Sequence, residues 1–336
     1  MLIAFLLFCV GVVLLLVAGD ILVRGAAALA HKWGVPSLIV GLTIVAFGTS
    51  APELIVSVKA VLSGDSELAI GNVIGSNIAN ILLVLGAPAL IMALPTNVAG
   101  VGRNAAVMML ATFILIALIF LPPFGKLITW HGIILFGGII IYLTWMFMLA
   151  RSGVQDPALA EMADMAEMEG MPKGYFMMFL FTALGIVGLA IGGDMIVKHA
   201  TFIAESIAKK AEAREEMIGL VGLTIVAIGT SLPELATVIV ASRRGHNEVA
   251  IGNILGSNIF NIFAVLGTAS IVGTVNIPAK FMVFDIWVML VATIALVIFV
   301  LRRAPIGRKT GIVLLVAYLL YMAAITSRYI AAGAGV

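Results

Sequence analysis

Two glutamates stand where charge is expensive. Glu53 lies in GLTIVAFGTSAPELIVSV and Glu234 in GLTIVAIGTSLPELATVI, each surrounded by apolar residues. A carboxylate near the centre of a membrane-crossing segment costs about 2.5–3.5 kcal/mol on insertion scales, and such residues are usually functional. No lysine or arginine lies comparably deep to pair with either; Lys59 follows Glu53 by six residues, towards the end of its segment. The neighbours are oxygen donors as well. Thr49 and Ser50 precede Glu53 by four and three residues, which on a helix puts the hydroxyls and the carboxylate on one face. Pro52 lacks an N–H and clashes with the carbonyl four residues back. The helix should therefore kink there and leave the carbonyls of Ala46 to Thr49 partly free to face a cation. Thr230, Ser231, Pro233 and Glu234 repeat the arrangement.

The next segment adds amides and hydroxyls. Asn72, Ser76 and Asn80 are spaced by four and form one polar stripe; Asn253, Ser257 and Asn261 duplicate it. Serine and asparagine also bond between packed membrane helices. Ser76, Asn80, Ser257 and Asn261 read as site residues, whereas Asn72, Asn77, Asn253 and Asn258 divide between ligand support and packing. Gly71 with Gly75, and Gly252 with Gly256, are small pairs at helical spacing that let helices approach closely. All these donors are hard oxygens, which favour Ca²⁺ or Na⁺ over softer transition metals. Two glutamates carry −2, which one Ca²⁺ neutralises. Several Na⁺ ions could fill the same oxygens, and mutual exclusion between the two loads would be exchange. Composition alone leaves the choice of ions open. A hydrolase using Ser50 or Ser231 as nucleophile would need a base beside it, but His31, His131, His199 and His246 all fall at or near expected loops and helix ends. The chain reads as a non-enzyme that needs no cofactor.

The elements that hold these residues come in two copies. Residues 41–86 recur as 222–267 at a constant offset of 181, with 28 of 46 positions identical. The pair Gly19–Asp20 recurs as Gly193–Asp194 at an offset of 174, so the repeat includes the first helix of each half, and seven extra residues fall within the charged stretch 209–216. Such repeats dictate architecture. With 62% hydrophobic and 11% charged residues, against about 25% charged in soluble domains, the chain is a polytopic membrane protein. Ten apolar segments are expected, at about 2–23, 37–62, 68–94, 104–121, 127–149, 174–197, 217–241, 248–273, 281–301 and 310–330. The fold class is thus all-α: a first five-helix repeat over 1–150, a linker over 151–173 and a second repeat over 174–336. Five crossings are odd, so the second half enters the membrane in the opposite sense, an inverted-topology repeat.

With the N-terminus outside, eleven of the nineteen Lys and Arg fall in cytoplasmic connections: Arg24, Lys32, Arg103, Arg151, Lys173, Arg243, Arg244, Arg302, Arg303, Arg308 and Lys309. That bias sets the orientation and makes the linker cytoplasmic. The linker, acidic and methionine-dotted, lacks the alternating ligands and central glycine of a calcium loop and reads as a solvated hinge. The first segment lacks a basic leader and a cleavage site and reads as a retained helix. Cys9, the one cysteine, reads as a small core residue. A net charge of +2 without a basic patch gives no sign of nucleic acid, and no obligate protein partner is evident.

GTSAPE with GNVIGSNIANI, repeated as GTSLPE with GNILGSNIFNI, resembles the paired α-repeats of the sodium/calcium exchanger family, within the cation/calcium exchanger superfamily. The resemblance covers the whole ten-helix plan and is that of a prokaryotic-type member in the cell (inner) membrane. It implies an antiporter in which the first helix of each half slides past the rest to alternate access. A central calcium site would fall to Glu53, Glu234 and the carbonyls of Thr49 and Thr230. Sodium sites would fall to Ala46, Thr49, Ser50 and Ser76 on one side, and to Ala227, Thr230, Ser231 and Ser257 on the other, with a middle position between Asn80 and Asn261. The potassium-dependent branch carries aspartate where this chain has Asn261, which argues against potassium co-transport. The GNAAE-type signature of proton/calcium exchangers is absent, although a proton-coupled carrier of calcium or another divalent cation remains the competing reading on this fold. Asn261→Asp should change cation selectivity or pH dependence in a transport assay; an unaltered ion profile would show that Asn261 does not face the site.

Overall fold

The structure, a computed structural model, describes residues 1–33, 50–98, 100–152, 172–207, 214–243 and 247–334. Ala46 and Thr49, the start of the second apolar segment, most of the 151–173 linker and the Lys209–Lys210 stretch lie outside the described residues. In hydrocarbon every backbone polar group must be satisfied within its own segment, so long apolar runs fold as helices. Along the chain these are α1 (Leu2–Lys32), α2 (Ala51–Leu62), α3 (Ser66–Ala89), α4 (Val101–Phe120), α5 (Thr129–Arg151), α6 (Tyr175–Ile207), α7 (Arg214–Val221, continuing through Gly222–Val226 and Ala227–Thr230), α8 (Leu232–Arg243), α9 (Asn247–Phe260, continuing through Asn261–Leu266 and Gly267–Val272), α10 (Phe281–Leu301) and α11 (Arg308–Ala334). Eight of the described helices are long and apolar enough to cross a bilayer.

Burial separates the helices into two layers. The apolar windows of α3 and α9 are 94% and 83% buried, whereas those of the other six lie between 28% and 44%. The duplicated GN…GSN…N segments therefore form the centre of the molecule, and the remaining helices expose rows of Leu, Ile, Val and Phe where lipid would lie. Packing follows a crossed pattern. α2 packs on α3 and α8 on α9, while α5 lies along the C-terminal part of α9 and α11 along that of α3. Short connections tie the ends: β1 (Lys126–Leu127) pairs antiparallel with β2 (Val275–Asn276), and Leu94 bridges to Ile306.

The centre closes backbone to backbone. A Cβ on Gly71 would sit 2.5 Å from the Gly219 carbonyl oxygen, one on Gly75 2.5 Å from that of Leu223, and one on Gly222 2.7 Å from that of Leu68. The seam between α3 and α7 thus leaves no room for side chains at these positions. The segment that would correspond to α7 in the first half, around residues 41–46, lies outside the described residues.

The 181-residue offset extends beyond the motif into the fourth helix of each half. Asn104 corresponds to Asp285, Met108 to Met289 and Thr112 to Thr293. The Thr112 and Thr293 hydroxyls donate to the Met108 and Met289 carbonyls at 2.9 and 2.8 Å. Tyr142 donates to Asn104 at 3.3 Å, and Tyr321 to Asp285 at 3.0 Å. Asp285, which its position suggests is a helix-end residue, is fully buried, as its counterpart Asn104 nearly is, on a face of α10 that Tyr321 of α11 covers.

Gly75→Val should force α3 off α7, since overpacking a filled seam typically costs about 1–3 kcal/mol. The expected result is a clear fall in Tm in detergent, with Gly137→Ala, where no atom lies within 4 Å of the added carbon, near neutral.

Candidate functional site

The two TSxPE segments are helix starts. Ser50 is the N-cap residue of α2 (φ −93°, ψ 8°), and Ser231 separates α7 from α8 in nearly the same conformation (φ −86°, ψ 5°). In the second half the expected kink takes the form of a break: at Ser231 the helix stops for one residue and a new one begins. The reason is local. Pro52 and Pro233 sit in the first turn of the following helix, where a missing N–H costs nothing, whereas inside a continuous helix each would leave a carbonyl unpaired and clash with it. Glu53 and Glu234 consequently lie in the first turns of α2 and α8, at the positive end of each helix dipole. The Ala227 carbonyl, at the end of α7, accepts from the Ser231 N–H at 3.1 Å, the Thr230 hydroxyl at 3.4 Å and the Ser76 hydroxyl at 3.5 Å.

α3 and α9 supply the facing wall. Ser76 also meets the Thr230 hydroxyl at 3.5 Å. Asn72 is shared: its amide donates to Ser57 Oγ at 3.1 Å and to the Glu53 carbonyl at 3.4 Å, and its oxygen accepts from Thr230 at 3.0 Å. It supports the site by holding α2 and α7 together. Ser257 donates to Glu234 at 3.4 Å and to Asn253 at 3.5 Å. The Asn80 amide donates to the Asn258 side-chain oxygen at 3.0 Å, across the two halves. Asn80 and Asn261 each open a π-helical turn, Asn80–Val84 and Asn261–Leu266. A π turn inserts an extra residue, and such turns recur at functional sites.

Burial and pairing mark the place. Glu53, Ser76 and Asn80 are completely buried, and Ser50, Thr230, Ser231, Glu234 and Asn261 nearly so. In native interiors about nine in ten such polar groups have partners. Here both carboxylate oxygens of Glu53, one of Glu234, the hydroxyls of Ser50 and Ser231, the Asn80 oxygen and both side-chain atoms of Asn77 and Asn261 have none. Glu53 lies within electrostatic reach of Glu234 and of the Thr230 hydroxyl. No lysine, arginine or histidine forms an ion pair with either glutamate among the described residues. Two buried carboxylates facing one another with spare oxygens around them are the surroundings of a bound cation. Among the described residues no group of three or more His, Cys, Asp or Glu comes together. The donor set is thus two acids plus neutral oxygens, suited to a hard ion that enters and leaves.

Some of the site was not legible in sequence. Asn258 donates weakly to the Asn77 carbonyl and to the Met108 sulfur at 3.5 and 3.6 Å, which places α4 against the amide layer. A methionine in an apolar helix carries no sequence signal for that role. The π turns carry none either.

Relatives agree with this architecture. A family model described as sodium/calcium exchanger protein matches residues 3–148 and 177–327. The chain is 34% identical to the inner membrane protein YrbG of Escherichia coli, over 96% of this chain and 97% of that one. It is 29% identical to the sodium/calcium exchanger MaX1 of Methanosarcina acetivorans, over 95% and 97%. Among solved structures it resembles the sodium-calcium exchanger NCX_Mj, with TM-score 0.60 and 27% identity over 96% of this chain and 99% of that one. From these matches, and from the duplicated motifs they span, the chain belongs to the sodium/calcium exchanger family of multi-pass membrane transporters.

Proposed function

We propose that this protein exchanges Na⁺ for Ca²⁺ across the membrane by alternating access, with both ions as substrates of one oxygen cage. The observation that carries this is the concentration of unpartnered buried oxygens around Glu53 and Glu234. Calcium takes six to eight oxygens. The two carboxylates would hold it, with carbonyls at the breaks before α2 and α8 and water completing the shell. Sodium would take the flanking donors: Ser76 with Thr230 and the Ala227 carbonyl, which its hydroxyl meets, and so apart from the Ala46, Thr49 and Ser50 group expected of it; Ser50, Ser231 and Ser257 would add further oxygens, with Asn80 and Asn261 between them. Because the same carboxylates serve both loads, filling by one excludes the other.

An inverted pair of five-helix halves, 1–150 and 174–336 joined by the 151–173 linker, is supported by the direction of the helices. Asp65, just past the end of α2, contacts Arg214 at the start of α7. The first-half motif therefore ends its initial helix on the face where the second-half motif begins its own. Alternating access is supported by packing: α1 and α6 contact each other far more extensively than either contacts the centre, so the pair can move as a unit. The basic-residue bias favours the N-terminus outside. Relatives such as an inner membrane protein of Escherichia coli support placement in a prokaryotic cell membrane. Coupling to protons on the same carboxylates is the competing reading, and a pH gradient distinguishes it.

Proteoliposomes loaded with sodium and diluted into sodium-free buffer should take up calcium, and vesicles with equal sodium and an imposed pH gradient should not. Uptake only in the second set would make the protein proton-coupled, and uptake in neither would end the calcium assignment. Binding can be read separately. At one hundred times its Kd, calcium adds about 2.7 kcal/mol to stability, a measurable rise in Tm. Glu53→Gln and Glu234→Gln should each lose most of that rise and abolish uptake while still inserting. Full activity in both would remove the carboxylates from the site.

A further inference from the structure

A cluster of ionic contacts outside the cage stands at one end of the molecule. A cavity of about 980 Å³ opens there between the start of α1, the loop after α2 and the last turns of α6, lined by Met1, Asp65, Asp194, Val197 and Glu205 among others. Along its edges the α1–α6 pair meets the rest of the protein through ionic contacts at two points. At the first, Lys59 of α2 reaches Asp194 of α6. Gly193 makes this possible: a Cβ there would lie 2.6 Å from Ile55 and 3.1 Å from the Lys59 side-chain stem, so the missing side chain lets that stem lie along α6. At the second, Asp65 accepts from Thr201 of α6 at 2.8 Å and from Arg214 of α7 at 3.0 Å, and Arg214 donates to Glu205 of α6 at 2.7 Å. Asp65 is 6% exposed and anchors the cluster.

Among the described residues the first point has no counterpart on the duplicated elements, and the position equivalent to Asp65 is His246, which lies outside them. Asp20, the counterpart of Asp194, pairs with Arg24 on its own helix at 2.8 Å. The position equivalent to Lys59, at the 181-residue offset, is Val240. α1 and α6 themselves are bound tightly: carbons added at Gly25 and Gly185 would lie 2.6 Å from Thr182 and Leu22 of the facing helix. Contact between α6 and its neighbours on the cavity side is thinner and rests on charge.

We propose that Lys59–Asp194 and the Asp65–Arg214–Glu205 cluster form a two-point ionic clasp. It ties the α1–α6 pair to the core at this end and opens whenever the pair moves. The clasp rests on the exchange reading above for its place in a transport cycle. Lys59 and Asp194 are partly exposed, so each contact is weak and screened by salt, which suits a contact broken at every turnover. A network of several charges holds better than a lone pair.

The test uses the whole protein in liposomes, with Cys9→Ala and a single reporter, Val197→Cys, on the cavity wall; Val197 is 4% exposed. A membrane-impermeant maleimide should label the reporter slowly. Asp194→Asn or Lys59→Gln should speed labelling several-fold. The double variant should be no faster than either single one, and the charge exchange Lys59→Asp with Asp194→Lys should restore the slow rate. Choline chloride, which carries no sodium, should speed labelling of the unaltered pair more than that of the double variant, in which only the Asp65 cluster is left to be screened. Unchanged labelling in both single variants, additive effects, or an exchange variant as fast as the singles would overturn the clasp. If the unaltered protein carries no sodium-driven calcium, the exchange reading falls while the labelling still decides whether the contacts restrain α6. Where Asp194→Asn fails to insert, Lys59→Gln and the choline series give the same decision.

Discussion

Two carboxylates are enclosed at the centre of an apolar protein, and among the described residues no basic side chain is paired to them. A lone buried charge is among the costliest features a protein can carry, and a pair of like charges is costlier. The rest of the architecture can be read as the means of making that tolerable. Placing Glu53 and Glu234 at the first turns of α2 and α8 gives each carboxylate the positive end of a helix. In the second half, ending the preceding helix before Ser231 leaves the Ala227 carbonyl to meet the Ser76 hydroxyl in the same space. The π turns at Asn80 and Asn261 bring amide groups into that layer. What is left unsatisfied is a set of buried oxygens around the two glutamates, which on the proposed reading a transported cation would complete.

Holding such a ring open while keeping lipid out requires close support. The Gly71, Gly75 and Gly222 seam brings α3 and α7 together at the backbone itself, so the distance across the site is set by main-chain atoms rather than by flexible side chains. Asn72 joins α2 and α7 through one amide. Outside this rigid centre, α1 and α6 form a separate unit, joined to each other through glycine contacts and to the core by weaker, partly ionic ones.

Much of this was legible in sequence because of duplication. One TSxPE would be a proline kink with polar neighbours; two at a constant offset, followed by the same Asn–Ser–Asn stripe, define both the acids and the donors around them. The buried glutamates were visible because nothing basic stands near them in sequence. The helix breaks were underestimated, since a proline signals disruption without saying whether the chain bends or stops. The position of Asp285 near a segment end gives no sign of its burial, because distance from an end does not say which face of a helix a residue occupies. Contacts such as Lys59 with Asp194 join residues 135 positions apart and depend on which helices become neighbours, which no local pattern encodes.

The fourth and fifth helices of each half carry the same buried contact in two chemical forms: Tyr142 on Asn104, and Tyr321 on Asp285. A carrier made of two identical inverted halves would have equal energies in its two end states, because a two-fold rotation would convert one into the other. Divergence at buried positions removes that equality. On the alternating-access reading proposed above, an acid in one half and an amide in the other, together with the ionic clasp, would give the molecule a resting preference for one side of the membrane even when the solutions on both sides are the same.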